Sequence, residues 1–124
     1  MLSVSWTVTV EPRRKLLRLA ITGFFTPSNV LAFAQEVSVG IATLQPYLRG
    51  QGHVTLCDTR GVQIQSQEVV RSFSDMLAHP AARSRRLAYV VDAALAQIQI
   101  KRLTDRVDAA YFRDLESAET WLFE

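Results

Sequence analysis

Two short and almost entirely apolar runs constrain the fold of this chain more than any other feature. The first, His53 to Asp58, follows a glycine-rich break, and the second, Arg86 to Asp92, has Leu87 to Val91 at its centre. Short continuous apolar runs without alternation are typical of strands that are buried on both faces, as in parallel sheets covered by helices. We therefore expect two central strands, and we expect the first to end at residues 59–61.

An alternating segment near the start of the chain predicts a hairpin. Four apolar residues share one face of an extended segment and three polar residues share the other: Val4, Trp6, Val8 and Val10, against Ser5, Thr7 and Thr9. Pro12 then interrupts the pattern at a turn, and Leu16 to Thr22 follows as a second strand. The two strands are expected to pair in antiparallel fashion.

Apolar residues spaced by three and four predict the helices. Thr26, Ser66, Asp92 and Asp114 stand at positions typical of helix N-caps, and Pro27 fits a first helical position. The predicted helices are the first from Pro27 until Pro46 and Gly50 to Gly52 stop it, the second from Ser66 to His79, the third from Ala93 to Leu103, and the fourth from Leu115 to Phe123.

This order of elements predicts an α/β fold. A strand–strand–helix start followed by alternating strands and helices gives a mixed, mostly parallel sheet of about five strands, with an antiparallel edge hairpin and about four helices. The last strand is expected at Val107 to Phe112. A length of 124 residues suits one hydrophobic core, so residues 1–124 are expected to form a single domain.

Composition excludes several classes of function. No apolar run approaches the roughly 20 residues of a membrane span, and the N-terminus lacks the pattern of a signal peptide. Cys57 is the only cysteine, which fits a reducing cytoplasm and a buried core position. The basic clusters at residues 13–18 and 83–86 lie apart from the aromatic residues, so they are interpreted as solvated ends of elements, and nucleic-acid binding is not expected.

The sequence contains no complete set of catalytic or metal-binding residues. His53 and His79 are the only histidines, and neither has a second ligand at helical spacing, so we expect no metal, no cofactor and no catalytic residue. Asp58 and Asp92 follow neighbouring predicted strands, which leaves open a small enzyme that uses a carboxylate pair. An ion pair of Asp58 with Arg60 is the simpler expectation.

Several segments together resemble a known family. They are Leu17 to Phe25 followed by Thr26-Pro27, then Val54 to Ser66, then Arg85 to Val91, and the closing segment Leu115 to Leu122. In this order and spacing they look like the SpoIIAA-like proteins, which are related to STAS domains (sulfate transporter and anti-sigma factor antagonist). The resemblance covers nearly the whole chain.

The resemblance implies a bacterial regulatory or binding module that is not an enzyme. In classical STAS antagonists a serine at the start of the helix after the aspartate-containing strand is phosphorylated. In this chain the matching region, Gln65 to Glu68, retains only Ser66 and has Glu68 near the usual phosphoacceptor position. A phosphate there would meet like-charge repulsion, so Ser66 is expected to act as an N-cap.

The main hypothesis is therefore binding of a protein partner or a small anionic ligand beyond the strand ends, with Arg60, Arg85 and Arg86 expected near those ends. The candidate binding residues are Asp58, Thr59, Arg60, Gly61, Ser66, Glu68 and Asp92. A membrane-surface or apolar-ligand module is a further alternative, which rests on Phe24, Phe25 and the basic clusters. We expect both phenylalanines to be buried. An exposed first strand predicts a homodimer.

Overall fold

A five-stranded sheet forms the centre of the molecule in the computed structural model, which describes residues 4–63, 65–92, 98 and 108–124. The strands are β1 (Ser5–Glu11), β2 (Leu16–Gly23), β3 (Val54–Val62), β4 (Arg86–Val90) and β5 (Ala109–Phe112). They lie in the order β1-β2-β3-β4-β5. β1 is antiparallel to β2 and the other pairs are parallel, which confirms the predicted mixed sheet with an edge hairpin.

Within the described ranges the sheet is accompanied by three α-helices. They are α1 (Pro27–Leu48), α2 (Gln67–Ala78) and α3 (Leu115–Leu122), with short 3₁₀ turns at Pro12–Arg14 and Pro80–Ala82. The helix expected at residues 93–103 falls outside the described residues apart from Ile98. Asp92 itself is described and exposed, and its role as the cap of that helix stays a prediction. The predicted count of about four helices is otherwise matched in order and position.

The predicted N-caps of the three described helices are confirmed. The Thr26 hydroxyl accepts a hydrogen bond from the Asn29 amide in a reciprocal capping box, and Pro27 is the first residue of α1. The Ser66 hydroxyl accepts from the Val69 amide at 3.2 Å. In α3 the Asp114 carboxylate accepts from the amide of Ser117 at 2.7 Å. Each cap satisfies an amide that has no partner within its helix.

One predicted boundary is confirmed and another is wrong. α1 ends at Leu48, between Pro46 and Gly50 as predicted, and Pro46 lies within the last turn, where a proline removes only one internal hydrogen bond. β3 does not end at residues 59–61 but continues to Val62. Its last residues pair with Thr22 and Gly23, so the strand is extended by a neighbour that the local sequence does not show.

The core has two layers, one on each face of the sheet. The larger layer lies under α1 and α2 and contains alternate residues of β2 and β3, such as Leu17, Leu19 and Cys57. Four aromatic rings pack within it at centroid distances of 5.4 to 6.3 Å, those of Trp6, Phe25, Phe33 and Phe73. The smaller layer lies under α3 and includes Leu56, Val90 and Leu122. The buried central strands are therefore confirmed.

α1 packs closely on the hairpin at Gly40. A Cβ atom at this position would lie 3.1 Å from Cδ1 of Leu17 and 3.2 Å from Cγ1 of Val8. The glycine thus gives up some helix propensity so that the helix backbone can pack against the strands.

Four charged side chains form an ion-pair cluster at the amino end of the parallel strands, which we call the amino-end cluster. Arg18 contacts Glu119 at 2.6 Å and Glu11 at 3.0 Å, and Arg14 contacts the same two carboxylates at 3.1 and 2.9 Å. The cluster joins β1, β2 and α3. The interpretation of residues 13–18 as merely solvated is therefore wrong for Arg14 and Arg18, because Glu119 of the acidic tail folds back onto them.

Candidate functional site

A β-bulge near the carboxyl end of β3 places the first candidate residues. Ala20 of β2 pairs with Asp58, but Thr22 pairs with Gly61, so β3 carries one extra residue over this interval. Bulges bend a strand and redirect its side chains, and they are common beside functional sites. Gly61 fits the bulge because a Cβ atom there would lie 2.6 Å from Cγ2 of Thr22.

Asp58 and Arg60 form an ion pair within this bulge, as the sequence predicts. The Arg60 side chain donates from Nε to Oδ1 at 2.9 Å and from Nη2 to Oδ2 at 2.8 Å, which is a bidentate geometry. The Arg60 amide also donates to Asp58 Oδ1 at 3.1 Å. These bonds hold the pKa of Asp58 below its ordinary value. Asp58 is therefore ionised at neutral pH and is unsuited to donate a proton there.

Further carboxylates surround Arg60. Hydrogen bonding to Asp58 raises the pKa of Arg60, and the negative charges of Asp92 and Asp114 contribute to the same shift. Asp92 is exposed two residues after the end of β4, and its backbone carbonyl accepts a hydrogen bond from Arg113 at 3.0 Å. The strand ends thus bring Asp92 within electrostatic reach of Arg60, and among the described residues three carboxylates, those of Asp58, Asp92 and Asp114, accompany Arg60 and Arg113 here.

Thr59 lies at this end of the sheet but points inward. It is only 2% exposed, and its hydroxyl donates to the backbone carbonyl of Val90 at 2.8 Å. Val90 belongs to the last β3–β4 pair, so this bond satisfies a buried carbonyl and ties the ends of the two strands together. Thr59 and Gly61 therefore shape the backbone that presents Asp58 and Arg60.

Ser66 and Glu68 lie on the opposite side of the sheet from Asp58. α2 packs on the face that holds Val69 and Phe73, whereas Asp58 follows Leu56 on the α3 face. Both Ser66 and Glu68 are exposed in the first turn of α2, where a carboxylate is favoured by the helix dipole. The candidate residues therefore do not converge on one cavity but line the carboxyl end of the sheet from both faces.

Gln65 fixes the segment that leads into α2. Its side-chain oxygen accepts from the Phe25 amide at 2.7 Å, and its side-chain amide donates to the carbonyl of Gly23 at 3.0 Å. These bonds bracket Phe24, which is 49% exposed, whereas Phe25 is fully buried. The expectation that both phenylalanines are buried is thus confirmed for Phe25 and wrong for Phe24.

Sequence reasoning missed Phe24 as a surface residue, although a signal was present. Leu17, Leu19 and Ile21 all face the larger core layer, so period-two alternation carried past Gly23 sends Phe25 inward and Phe24 outward. The role of Gln65 had no comparable signal, because its partners lie 40 and 42 positions earlier in the chain.

Arg85 and Arg86 do not lie where an anionic ligand was expected. Arg86 begins β4 while Asp58 pairs with Val90 at the other end, roughly 13 Å away along the strand. Arg86 stacks on the ring of Trp121 with its guanidinium carbon 4.9 Å from the ring centre. Placing Arg85 and Arg86 beside Arg60 is therefore wrong, because parallel strands put their starts and their ends at opposite edges of the sheet.

Comparison with known proteins agrees with this architecture. No family model and no curated protein matches the chain by sequence. A solved structure of an uncharacterized DUF3478-family protein with a SpoIIAA-like fold, from Shewanella loihica, superposes with a TM-score of 0.72 at 16% identity, covering 98% of this chain and 97% of that one. The chain has a SpoIIAA-like fold.

A second solved structure extends the comparison. An anti-sigma factor antagonist from Mycobacterium paratuberculosis superposes with a TM-score of 0.67 at 11% identity, covering 98% of this chain and 96% of that one. The two superpositions confirm the fold that the resemblance implies.

The remaining chemically active side chains of this SpoIIAA-like domain lie away from the strand ends. Cys57 is buried in the core, and burial raises the pKa of its thiol to about 12, so it is unreactive in the folded state. His53 is buried just before β3, and His79 caps the end of α2. Within residues 4–63, 65–92, 98 and 108–124, no group of three or more His, Cys, Asp or Glu side chains is placed to hold a metal ion.

An apolar groove of about 650 Å³ lies between α1 and α2, away from Asp58 and Asp92. Leu31, Ile41 and Met76 contribute to its walls, and Asp75 and His79 stand at its side. An enzyme that used an Asp58–Asp92 pair would need a deep polar pocket at these two residues. This groove is apolar and lies elsewhere, so it is not that pocket. Among the helices of the described ranges, none combines the length and the hydropathy needed to cross a bilayer.

Proposed function

We propose that this chain is a non-catalytic regulatory module that binds a protein partner through the carboxyl end of its sheet. The surface consists of exposed or half-exposed residues from both sides of that end: Phe24, Asp58, Arg60, Ser66, Glu68 and Asp92. We call it the carboxyl-end surface. The SpoIIAA-like fold shared with an anti-sigma factor antagonist supports a regulatory role.

The exposed ring of Phe24 is the observation that carries this proposal. The backbone on each side of Phe24 is hydrogen-bonded to Gln65, so the segment that leads into α1 is tied to the segment that leads into α2 while the ring stays exposed. Aromatic side chains surrounded by polar residues are the usual energetic centres of protein interfaces. Charged residues such as Glu68 and Arg60 would form the polar rim, and Thr59 and Gly61 would hold the backbone beneath it.

The same geometry favours a protein partner over a small anionic ligand. The Nε and Nη2 atoms of Arg60 already donate hydrogen bonds to the carboxylate of Asp58. Asp92 and Asp114 add negative charge near the guanidinium. A free anion would have to displace Asp58 and enter an acidic surrounding. A partner with basic side chains and an apolar pocket for Phe24 has no such cost.

The membrane-surface alternative also loses its support. Its two ingredients were the phenylalanines and the basic clusters, but Phe24 follows β2 and Arg13 to Lys15 precede it. The eight residues of β2 separate them by roughly 23 Å. Surface binding to anionic lipids requires basic residues next to the exposed ring, and β2 instead holds Arg13 to Lys15 far from Phe24. A cytoplasmic location is kept as part of the proposal, supported by the sole, buried cysteine.

Affinity capture with matched phenylalanine variants tests the proposal. The tagged wild-type chain, F24A and F123A are compared on a lysate of the source organism. Phe123 is 40% exposed at the amino end of the sheet, so F123A is the control for loss of an exposed ring. Proteins retained by wild type and by F123A, but lost with F24A, are then purified and titrated by calorimetry.

We expect a purified partner to bind wild type and F123A alike and F24A at least tenfold more weakly. Equal binding to all three chains, or no binding by any purified candidate, would refute a partner site at Phe24. Hydrogen exchange in inorganic phosphate forms a second arm. Protection confined to Asp58–Gly61 would favour the anionic ligand instead.

A further inference from the structure

The outer edge of β1 is open to a further strand. Among the described residues β1 has β2 as its only strand partner, and the pairing runs without a bulge from Ser5–Thr22 to Glu11–Leu16. In an antiparallel ladder alternate residues direct their N–H and C=O groups away from the partner strand. Edge strands are usually protected by lysine, proline or a bulge, and β1 has none of these.

One side of α1 continues this edge as an exposed apolar strip. Trp6 of β1 donates a hydrogen bond from Nε1 to Glu36, which shows that this side of α1 faces the β1 edge. Val39, Thr43 and Tyr47 follow Glu36 at spacings of three and four and so share its side of the helix. Val39 is 67% exposed and Tyr47 is 52% exposed. We call Val39, Thr43 and Tyr47 the α1 strip.

We propose that a second copy of this chain occupies the open edge, with the two β1 strands antiparallel and the two α1 strips in contact across a two-fold axis. The axis passes through Val8, because only this register gives every residue of the Ser5–Glu11 strand a partner. Thr7 then lies opposite Thr9 of the second copy, and Trp6 lies opposite Val10. Threonine pairs and aromatic–β-branched pairs are among the favourable cross-strand pairs.

The charges of the strand agree with this register. Glu11 is the only ionisable residue of β1, and the two-fold axis places it opposite Ser5 of the second copy rather than opposite another carboxylate. Its charge is also compensated within its own copy by Arg14 and Arg18. Self-pairing therefore creates no like-charge contact in the sheet.

The α1 strip places Val39 near the same axis. Gly40 packs directly on Val8, with 3.2 Å between its ideal Cβ position and Val8 Cγ1, so the middle of α1 lies over the middle of β1. Val39 is adjacent in sequence and exposed, and it would meet Val39 of the second copy. β1 has 7 residues and α1 has 22. Two strips roughly 10 Å wide along these elements bury on the order of 1,000 Å² over both copies, near the lower limit of specific interfaces.

Charge variants at Val39 test the dimer without disturbing the monomer, because the side chain is exposed. Mass is measured by light scattering and by sedimentation over a wide range of concentration. Wild type is expected to rise from the 13.9 kDa of one chain to twice that value, and V39K and V39E are each expected to stay at one chain. An equimolar mixture of V39K and V39E is expected to recover the double mass, since opposite charges then meet at the axis.

L31K is the matched control. Leu31 is 68% exposed on the same helix but lines the groove toward α2, so its lysine variant is expected to dimerise like wild type. T7K adds a charge to the β1 edge and is expected to weaken the dimer at least tenfold.

Hydrogen exchange of residues 6–10 should slow with rising concentration in wild type and not in V39K. A wild-type chain that remains a monomer at every concentration, or a dimer that V39K and T7K leave intact, would overturn the proposal. Slowed exchange of β1 only in the presence of another protein would assign the edge to a foreign strand and overturn it as well. Phe24 is not part of this interface, so the partner experiment and this one fail independently.

Discussion

Arginine–carboxylate pairs stand at both ends of the sheet, but they are built differently. In the amino-end cluster Arg18 bridges Glu11 and Glu119, so residues from three elements and 101 positions apart are joined. At the carboxyl end Arg60 pairs with Asp58 only two positions away. The first arrangement fastens α3 to the hairpin, whereas the second orders a single strand end.

The charges of the amino-end cluster hold the fold together, whereas the charges of the Asp58–Arg60 pair are available to a partner. Glu119 and Arg18 have side chains about 30% exposed and are engaged by several partners. Arg60 has a side chain that is 40% exposed, and among the described residues Asp58 is the one carboxylate bonded to it. The Asp58–Arg60 pair joins residues two positions apart and so holds little of the fold together, and its exposed side chains can contact a partner while the pair stays intact. We therefore expect the carboxyl-end pair to matter for binding and the amino-end cluster to matter for stability.

The largest effect is expected at the bulge under the Asp58–Arg60 pair. In G61A the new Cβ atom would lie 2.6 Å from Cγ2 of Thr22, so either the Thr22 side chain or the two strands must shift. We expect the free energy of unfolding to fall by about 1–2 kcal/mol in urea denaturation, as for other overpacked sites. Such a loss would show that close packing of the two strands, rather than the Asp58–Arg60 ion pair, keeps the carboxyl end of the sheet ordered.

The double variant G61A/T22S controls for the cause of this loss, since serine lacks the methyl group that clashes. Recovery of most of the loss in the double variant is expected. If G61A is as stable as wild type, or if T22S does not relieve it, close strand packing does not explain the glycine.

A smaller effect is expected at the amino-end cluster. E119Q removes the carboxylate shared by Arg14 and Arg18, and we expect a loss of up to about 1 kcal/mol, as for other partly exposed ion-pair networks. E116Q changes the same residue type on the same helix and is the control. Equal stability of the two variants would show that the cluster contributes no more than an ordinary surface carboxylate.

The pH dependence of stability gives this test a second readout. Hydrogen bonds from Arg18 to Glu119, and from Arg14 to Glu11, lower the pKa of each carboxyl below its ordinary 4.5 in the folded chain. A group with a lowered folded pKa stabilises the fold above its unfolded pKa, and this contribution is lost as pH falls through the folded value. Wild type should therefore lose more stability than E119Q as pH is lowered below about 4.5.

The smallest effect on stability is expected at the carboxyl-end pair itself. D58N and R60Q each remove one charge of a local, partly exposed pair, and we expect changes within about 0.5 kcal/mol in thermal or urea denaturation. A loss in D58N as large as that in E119Q would erase the contrast between the two ends of the sheet.

A structural feature of this molecule could be predicted from the sequence when the residues that determine it lie close together along the chain. Apolar runs such as Leu87 to Val91 and the caps Thr26, Ser66 and Asp114 are local, and all of them are confirmed. The extension of β3 to Val62 is not local, because it depends on pairing with Thr22 and Gly23 across a bulge.

The candidate site shows the same limit. The Asp58–Arg60 pair was predictable because its partners are two residues apart. The contact of Arg14 with Glu119 spans 105 positions, and no pattern of spacing or charge selects that glutamate among the acids of the tail. The misplacement of Arg85 and Arg86 was avoidable, since residues that begin one parallel strand cannot lie beside residues that end its neighbour.

The burial of Cys57 has a practical consequence. It is the only cysteine of the chain, it lies in the central strand, and its thiol, with a pKa of about 12, is protonated and covered in the folded state. A thiol-reactive dye can modify it only after β3 is uncovered, so the labelling rate reads out how often the centre of the sheet opens. The unmodified chain thus carries a single natural reporter of its own opening kinetics.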